Sequence, residues 1–441
     1  MANARETALR TLLACRRQGA WSDGYLKKAI REDGLDRRDA ALATRLCFGV
    51  LQNQLRLDWY LAQFSRIPLN KLEEAVLCIL RLALYQLQAM DRVPDSAAVN
   101  EAVKLARKYS RNPRSAGLVN AVLRAYLRQR NELAEPEGAS WEETMSLRYS
   151  HPQWLVEAFA DRLGREGTED LLAADNQQPP TTVQVNTLRE PPKQVLDSLE
   201  AQGVKGGLHP WLPGCLVLTG TGDLELLDAY QKGLFYVQDA GARLAVLAAG
   251  PKAGQRVLDC CAAPGGKSFA CAIQMEDQGE IVCCDIHPHK IKLLEAGRDR
   301  LGCSSLKPTL QNAAQPRPEW QESFDVVLAD VPCSGLGIIR KKPDIRYKAA
   351  APLAGLPRIQ SAILANSASY VRPGGTLLYS TCTILQRENE DVVDYFRSEH
   401  PEFSLEDFTL PGVGACGGML TLWPHIHGTD GFFMAKLVKR R

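Results

Sequence analysis

Arg256-Val-Leu-Asp-Cys-Cys-Ala-Ala-Pro-Gly-Gly-Lys267 is the stretch on which the reading of this chain turns. A short apolar strand pattern ends at Asp259, small residues and a Pro-Gly-Gly turn come next, and Lys267 opens a helical run. Strand, glycine turn, helix is the entry to a βαβ unit. The next strand, Ile281-Val-Cys-Cys-Asp-Ile286, comes at about the spacing of one such unit. Phe324-Asp-Val-Val-Leu-Ala-Asp330, Gly375-Thr-Leu-Leu-Tyr-Ser-Thr-Cys382 and Phe432-Phe-Met-Ala-Lys-Leu-Val-Lys439 are further strands. From about Leu234 the pattern therefore predicts an α/β domain with a mostly parallel sheet covered on both faces. Such sheets gather ligands at the carboxyl ends of their strands, and each chemical motif here lies just past a strand.

The first motif, Asp259 to Lys267, lets the backbone approach a ligand closely and offers the free N–H groups of a helix N-terminus. A phosphate loop would need an earlier glycine before Gly265-Gly266-Lys267-Ser268, and the dinucleotide pattern of three spaced glycines is absent. A small-residue turn with an acid nearby suits a nucleoside carrying an amino acid better than a diphosphate. Asp285, at the end of the second strand, can accept both ribose hydroxyls; the plain alternative is a helix cap before Pro288. Asn312, read as ending the next strand, can hydrogen-bond an adenine edge. Asp330-Val-Pro-Cys-Ser-Gly335 offers a carboxylate, a stiff turn and a thiol, and Ser380-Thr-Cys382-Thr a second thiol. Two cysteines at neighbouring strand ends can face one pocket, although in a chain with 13 cysteines a random pair is more often core. Arg340-Lys-Lys-Pro-Asp-Ile-Arg346 is a basic run suited to a nucleic-acid backbone.

Working outward, residues 131–140 form a polar linker broken by Pro136 and Gly138. Residues 141–233 read as a small α+β module, with a helix over Gln153–Leu163, a strand at Thr182-Val-Gln-Val-Asn186, and proline pairs that argue against long helices. Residues 1–130 read as one all-helical domain; Met1 to Ala20 is an amphipathic helix interrupted by arginines rather than a signal peptide. Ser96 is the expected N-cap of a helix that ends in the cationic cluster Lys104, Arg107, Lys108, Arg111 and Arg114. The net charge of +2 hides an asymmetry: residues 1–130 carry 23 Lys+Arg against 12 Asp+Glu, and the remainder 30 against 39. That split points to a basic module meeting a polyanion, or to a solvated helical face. No window is apolar enough to span a bilayer, and no C-x-x-C pair occurs. No membrane association, no metal and no disulfide framework are expected, and the localisation expected is cytoplasmic.

The blocks Asp259–Lys267, Asp330–Arg346 and Leu378-Tyr-Ser-Thr-Cys382 resemble the signature segments of RNA cytosine-5 methyltransferases of the NOL1/NOP2/Sun type, as do Gln238-Asp239 and Gly431-Phe-Phe-Met-Ala-Lys-Leu437. Leu46-Cys-Phe-Gly-Val-Leu51 with Leu57-Asp-Trp59, and Gly117-Leu-Val-Asn-Ala-Val-Leu-Arg124, resemble the NusB-like domain of the bacterial 16S rRNA cytosine-5 methyltransferase B subfamily (Fmu/Sun). Tyr149-Ser-His-Pro-Gln-Trp154 is similar to the start of that subfamily's middle module. The resemblance implies a NusB-like RNA-binding domain at 1–130, a small α+β RNA-binding module at 141–233 and a Rossmann-like methyltransferase domain at 234–441. It implies S-adenosylmethionine held by Cys261, Ala262, Ala263, Pro264, Gly265, Gly266 and Lys267, with Asp285 on the ribose. Asn312 stands where the family usually has Asp, and Asp330 is expected to face both cofactor and base. Cys382 is the expected nucleophile, Cys333 the assisting thiol, and Lys267 part of the catalytic set.

The implied chemistry is covalent. C5 of cytosine is a poor nucleophile, and a thiolate added at C6 makes C5 enamine-like. The expected substrate is RNA, 16S rRNA first and tRNA second, with the target base unpaired or extruded, and the expected assembly is a monomer. A DNA cytosine-5 methyltransferase would use the Pro-Cys thiol, Cys333, instead. A non-catalytic RNA-binding assembly or antitermination factor would need only the basic helical half.

Overall fold

The computed structural model describes residues 3–18 and 21–441. Contacts group the chain into two units, Met1–Gln177 with Ile339–Lys348, and Gln178–Ile338 with Ala349–Arg441.

The first unit is helical. Its central helix, Glu74–Ala89, is apolar on nearly all sides because it packs against the helices Ala4–Gln18, Arg37–Gln52, Gln54–Phe64, Asp95–Tyr109 and Ser115–Gln129. The amphipathic N-terminal helix expected from the sequence spans Ala4–Gln18; Met1, Ala2, Gly19 and Ala20 lie outside the described residues. Ser96 is not a cap: the helix begins at Asp95 behind Pro94, whose fixed φ suits a helix start. A cap does form at Ser140, whose Oγ accepts the Glu143 N–H while the Glu143 carboxylate accepts the Ala139 N–H. The proline pairs do not keep the helices of the middle segment short. Gln153–Asp175 runs 23 residues, bent where Gly164 takes φ 68°, because the prolines fall after its end.

The basic run behaves differently from its sequence reading. Arg346 is fully buried, and Arg340 is nearly so, which removes Arg346 from any nucleic-acid surface. Its guanidinium donates to the carbonyls of Gln52, Tyr149 and Ser150 (each 3.3 Å), to Asp175 O (3.4 Å) and to Asn176 Oδ1 (2.8 Å). Gln52, Tyr149 and Asp175 are the last residues of three helices. One cation therefore satisfies carbonyls at three helix C-termini, where the macrodipoles place negative charge. Sequence shows the charge but not the three helix ends that gather around it.

The second unit holds two sheets. The smaller is antiparallel: β1 (Thr181–Val185) pairs with β3 (Cys215–Thr219) and β4 (Phe235–Val237), and β2 (Lys205–Leu208) pairs with β3. It is tied to the helix Pro288–Leu301, because Asn186 Nδ2 donates to Leu301 O and Arg300 donates to Tyr230 O and Phe235 O. The larger sheet starts as five parallel strands. β5 (Arg256–Asp259) lies between β6 (Glu280–Asp285) and β8 (Phe324–Asp330); β7 (Leu306–Leu310) pairs with β6, and β9 (Val371–Thr381) with β8. The interior strand β8 is an almost unbroken buried run, as a parallel strand covered on both faces must be. Beyond β9 the sheet turns antiparallel. The short β10 (Phe403–Leu405) and β13 (Met419–Leu422) flank β14 (Phe432–Lys439), which pairs with β9, while β11 (Phe408–Leu410) and β12 (Gly414–Cys416) form a separate hairpin. Antiparallel neighbours need no crossover helix, so these short strands fit into the last forty residues without the helical spacing that marked the others.

Candidate active site

The candidate residues gather at the carboxyl ends of β5, β8 and β9. After β5 the chain passes through Cys260–Gly265 and enters the helix Gly266–Gln274. Gly265 has φ 112°, and a Cβ there would stand 2.4 Å from the Phe269 ring, so only glycine fits the turn. Ala262, Gly265 and Lys267 are buried, Cys261, Ala263 and Gly266 half-buried, and Pro264 exposed. Lys267, in the first turn of the helix, extends to the end of β8, where its Nζ meets Asp330 Oδ2 at 2.7 Å. The ammonium also lies 5.1 Å from the centre of the Phe432 ring. Burial alone would lower its pKa, but the Asp330 charge and hydrogen bond outweigh that and raise it.

Register sets the next contact. Asp330 on β8 pairs with Ser380 on β9, and Ser380 Oγ donates to Asp330 Oδ1 at 2.7 Å. Two residues beyond Ser380 stands Cys382, and three beyond Asp330 stands Cys333. Their sulfurs are 3.3 Å apart, and both residues are half-buried. Among the described residues Cys382 is the one thiol of thirteen whose pKa moves down; the other twelve move up, most of them through burial. The downward shift comes first from the hydrogen bond with Cys333, in which either sulfur can be the donor and which outweighs burial, with Lys267 assisting. The same bond pushes Cys333 well up.

The turns carrying the two thiols are tightly built. Gly337 N–H donates to Cys382 O at 2.9 Å, and Gly431 N–H to Gly337 O at 2.7 Å. A Cβ on Gly337 would stand 1.9 Å from Gly431 O, so the two glycines meet backbone to backbone. Ser334 Oγ and Thr383 Oγ1 hydrogen-bond at 2.7 Å across the turns. Nothing in the sequence pattern singled out Gln360, Glu388 or Asn389, yet all three are fully buried beneath these turns. In sequence, Arg387-Glu-Asn-Glu-Asp391 looks like a solvated charged run; its position directly after a strand-end motif was the available signal.

Asp285 ends β6, one strand from β5, and is buried. Its Oδ1 accepts the His287 N–H at 3.0 Å and its Oδ2 lies 3.4 Å from Lys290 Nζ, so part of it serves the local turn. Asn312 does not end a strand. β7 stops at Leu310, and Asn312 lies two residues on, half-buried, with Oδ1 accepting the Ala314 N–H. The Asx turn it makes pulls it out of the ladder. Asp259 at the end of β5 is buried, with Oδ2 receiving the Ser268 hydroxyl and Oδ1 without a partner. No group of three or more His, Cys, Asp or Glu among the described residues is placed to hold a metal ion, and no helix among them is long and apolar enough to cross a membrane.

Known proteins share both the sequence and the fold. Residues 246–438 match the family described as 16S rRNA methyltransferase RsmB/F, residues 2–128 the NusB family, and residues 151–225 the ferredoxin-like domain of RsmF/B-like methyltransferases. The chain is 36% identical to the probable ribosomal RNA small subunit methyltransferase B of Bacillus subtilis, covering 99% of this chain and 98% of that protein. A protein of the same description from Synechocystis is also 36% identical, over the full length of both. Among solved structures, PH0851 superposes with a TM-score of 0.82 at 27% identity, covering 98% of each chain.

Proposed function

We propose, from the premise that this chain belongs to the 16S rRNA methyltransferase RsmB/F family, that it methylates C5 of a cytosine in small-subunit ribosomal RNA through a covalent bond between Cys382 and C6 of the base. S-adenosylmethionine-dependent methylation of RNA is the family's activity and this chain's. The finer reading concerns the base, the atom and the residues.

The observation that carries it is the thiol pair: two half-buried sulfurs 3.3 Å apart, beside the Lys267–Asp330 ion pair, on adjacent strand ends. In this reading Cys382, the more acidic sulfur, adds to C6, which makes C5 enamine-like. Asp330 holds a proton against N3 of the base, with Lys267 behind it, and that proton neutralises the negative charge that develops on N3 as the thiolate adds at C6. Cys333 assists removal of the C5 proton; C5–C6 unsaturation is then restored and the Cys382–C6 bond breaks. A DNA-type mechanism with Cys333 as nucleophile is disfavoured by the second strand-end thiol at Cys382 and by the NusB family match over residues 2–128.

The loop fits S-adenosylmethionine. Gln238 Nε2 is buried without a partner, and Gly266 lies beside it, where a Cβ would stand 3.2 Å from that nitrogen. Cys261–Lys267, Asp285, Asn312 and Asp330 would hold the cofactor, which when bound supplies an electrophilic methyl group. For the RNA we propose three parts: 1–130 and 141–233 for binding, 234–441 for catalysis. Lys104, Arg107, Lys108, Arg111 and Arg114 are all exposed, and although Lys104 and Lys108 pair with Glu101 and Glu6, the cluster supports a phosphate-facing surface.

Cys382→Ala is expected to abolish methylation while leaving cofactor binding intact, and turnover in that variant refutes the nucleophile assignment. Cys333→Ala is expected to accumulate a protein–RNA adduct stable on denaturing gels; its absence removes the release role. Bisulfite sequencing of rRNA and tRNA from cells lacking the gene decides the substrate.

A further inference from the structure

Two thiols 3.3 Å apart share one proton when one of them is ionised, and equal chemistry would divide the negative charge equally between them. Their surroundings are unequal. Beside Cys382 stand the Lys267 ammonium and, opposing it, the carboxylates of Asp330 and Asp430. Beside Cys333 stands the carboxylate of Glu388.

Glu388 and Asn389 brace the two turns in parallel. Glu388 Oε2 accepts the Ser334 N–H and the Gln360 Nε2–H, both at 2.9 Å, and Gln360 Nε2 also donates to Pro332 O at 3.0 Å. The residues on either side of Cys333 are thus tied to Glu388, one directly and one through Gln360. Asn389 does the same for Cys382. Its Oδ1 accepts the Thr381 hydroxyl at 2.6 Å, and its Nδ2 donates to Thr383 O at 3.0 Å. An amide suffices under Cys382, but a carboxylate lies under Cys333. Glu388 is fully buried, its Oε1 has no hydrogen-bond partner, and no cation pairs with it among the described residues. Burying an uncompensated carboxylate is costly, and both N–H groups it receives could bond to a glutamine oxygen instead. What a glutamine could not supply is the charge.

We propose that Glu388 is a positioning residue that decides which thiol of the pair is ionised: its carboxylate, braced beneath the Cys333 turn, keeps the proton on Cys333 and leaves Cys382 as the thiolate. The inference rests on the reading of Cys382 as nucleophile for its purpose, but not for its test. Glu388 is among the groups that push Cys333 up, as Lys267 is among those that pull Cys382 down.

The test is labelling of the full chain, without RNA, by limiting iodoacetamide, with each site quantified by peptide mass mapping. In the wild type Cys382 is labelled ahead of Cys333. In Glu388→Gln, which keeps the hydrogen bonds and removes the charge, the Cys382:Cys333 ratio falls by roughly fivefold, as expected when a unit charge lies a few ångströms nearer one sulfur in a medium of effective dielectric about 20. Glu388→Asp keeps the charge and the wild-type preference. Removing the charge lowers the pH midpoint of Cys333 labelling, whereas a merely structural role would loosen the Cys333 turn and raise its labelling at every pH with the midpoint unmoved; an unmoved midpoint in folded Glu388→Gln overturns the proposal. Equal labelling of the two thiols in the wild type, where no variant need fold, overturns it as well. Turnover by Cys382→Ala would remove the nucleophile reading without touching this one, and an unmoved midpoint would remove this one without touching the nucleophile.

Discussion

Gly337→Ala is a single methyl placed where three backbone atoms already stand. Its Cβ would lie 1.9 Å from Gly431 O, 2.5 Å from Gly431 C and 2.9 Å from Cys382 O. Cβ contacts under 3.0 Å are essentially never seen, so the shortest of these must open by at least 1.1 Å, and no flexible side chain is there to give way. The movement breaks or strains two hydrogen bonds, Gly337 N–H to Cys382 O and Gly431 N–H to Gly337 O. Overpacking of this kind costs about 1–3 kcal/mol and each lost hydrogen bond about 1 kcal/mol, for a total of about 4 kcal/mol. For a unit of this size that lowers the melting midpoint by about 10 °C. Because Cys382 carries one of the bonded carbonyls, its sulfur moves with the turn, and a misplacement of about 1 Å costs roughly a hundredfold in rate. Calorimetry and single-turnover methylation read the two effects. Gly355→Ala is the matched control: φ is −83° and a Cβ there meets nothing within 4 Å, so stability should change by less than about 0.5 kcal/mol. A Gly337→Ala enzyme as stable and as active as the control would refute the argument that the glycine pair sets the position of Cys382.

Cys333→Ala removes the hydrogen-bond partner that holds Cys382 acidic, so the pH midpoint for alkylation of Cys382 should rise; an unchanged or lower midpoint contradicts the S–H···S bond. Arg346→Met strands carbonyls at three helix ends in the first unit, and its denaturation should come about 3–5 kcal/mol earlier in free energy. Wild-type stability would mean those carbonyls find other donors. Burial lifts Asp259 from 3.8 to about 6, against the opposing Ser268 hydroxyl. The folded state therefore holds this proton more tightly than the unfolded one, and stability present below pH about 4 is lost as pH climbs to about 6, on the order of 3 kcal/mol. Asp259→Asn cannot ionise and should flatten that decline in urea titrations run across the window; an unaltered slope would mean that Asp259 is already ionised at the low end.

The sequence by itself determined the α/β half, because interior parallel strands must be near-continuous apolar runs and their glycine turns are written in order. It also brought Lys267, Asp330, Cys333 and Cys382 to strand ends, since each comes a fixed few residues after a strand. Local spacing carries that information. Tertiary structure alone decided the rest. The 3.3 Å between Cys333 and Cys382 depends on which strands are neighbours and in what register, as Asp330 opposite Ser380 fixes them. The burial of Arg346, Gln360, Glu388 and Asn389 depends on what covers them, and a charged residue destined for a buried socket is spelled like one destined for water. Hydrophobic periodicity records which faces are apolar. It holds no trace of where carbonyls left over from distant helices, or a proton shared by two sulfurs, will need a charged partner.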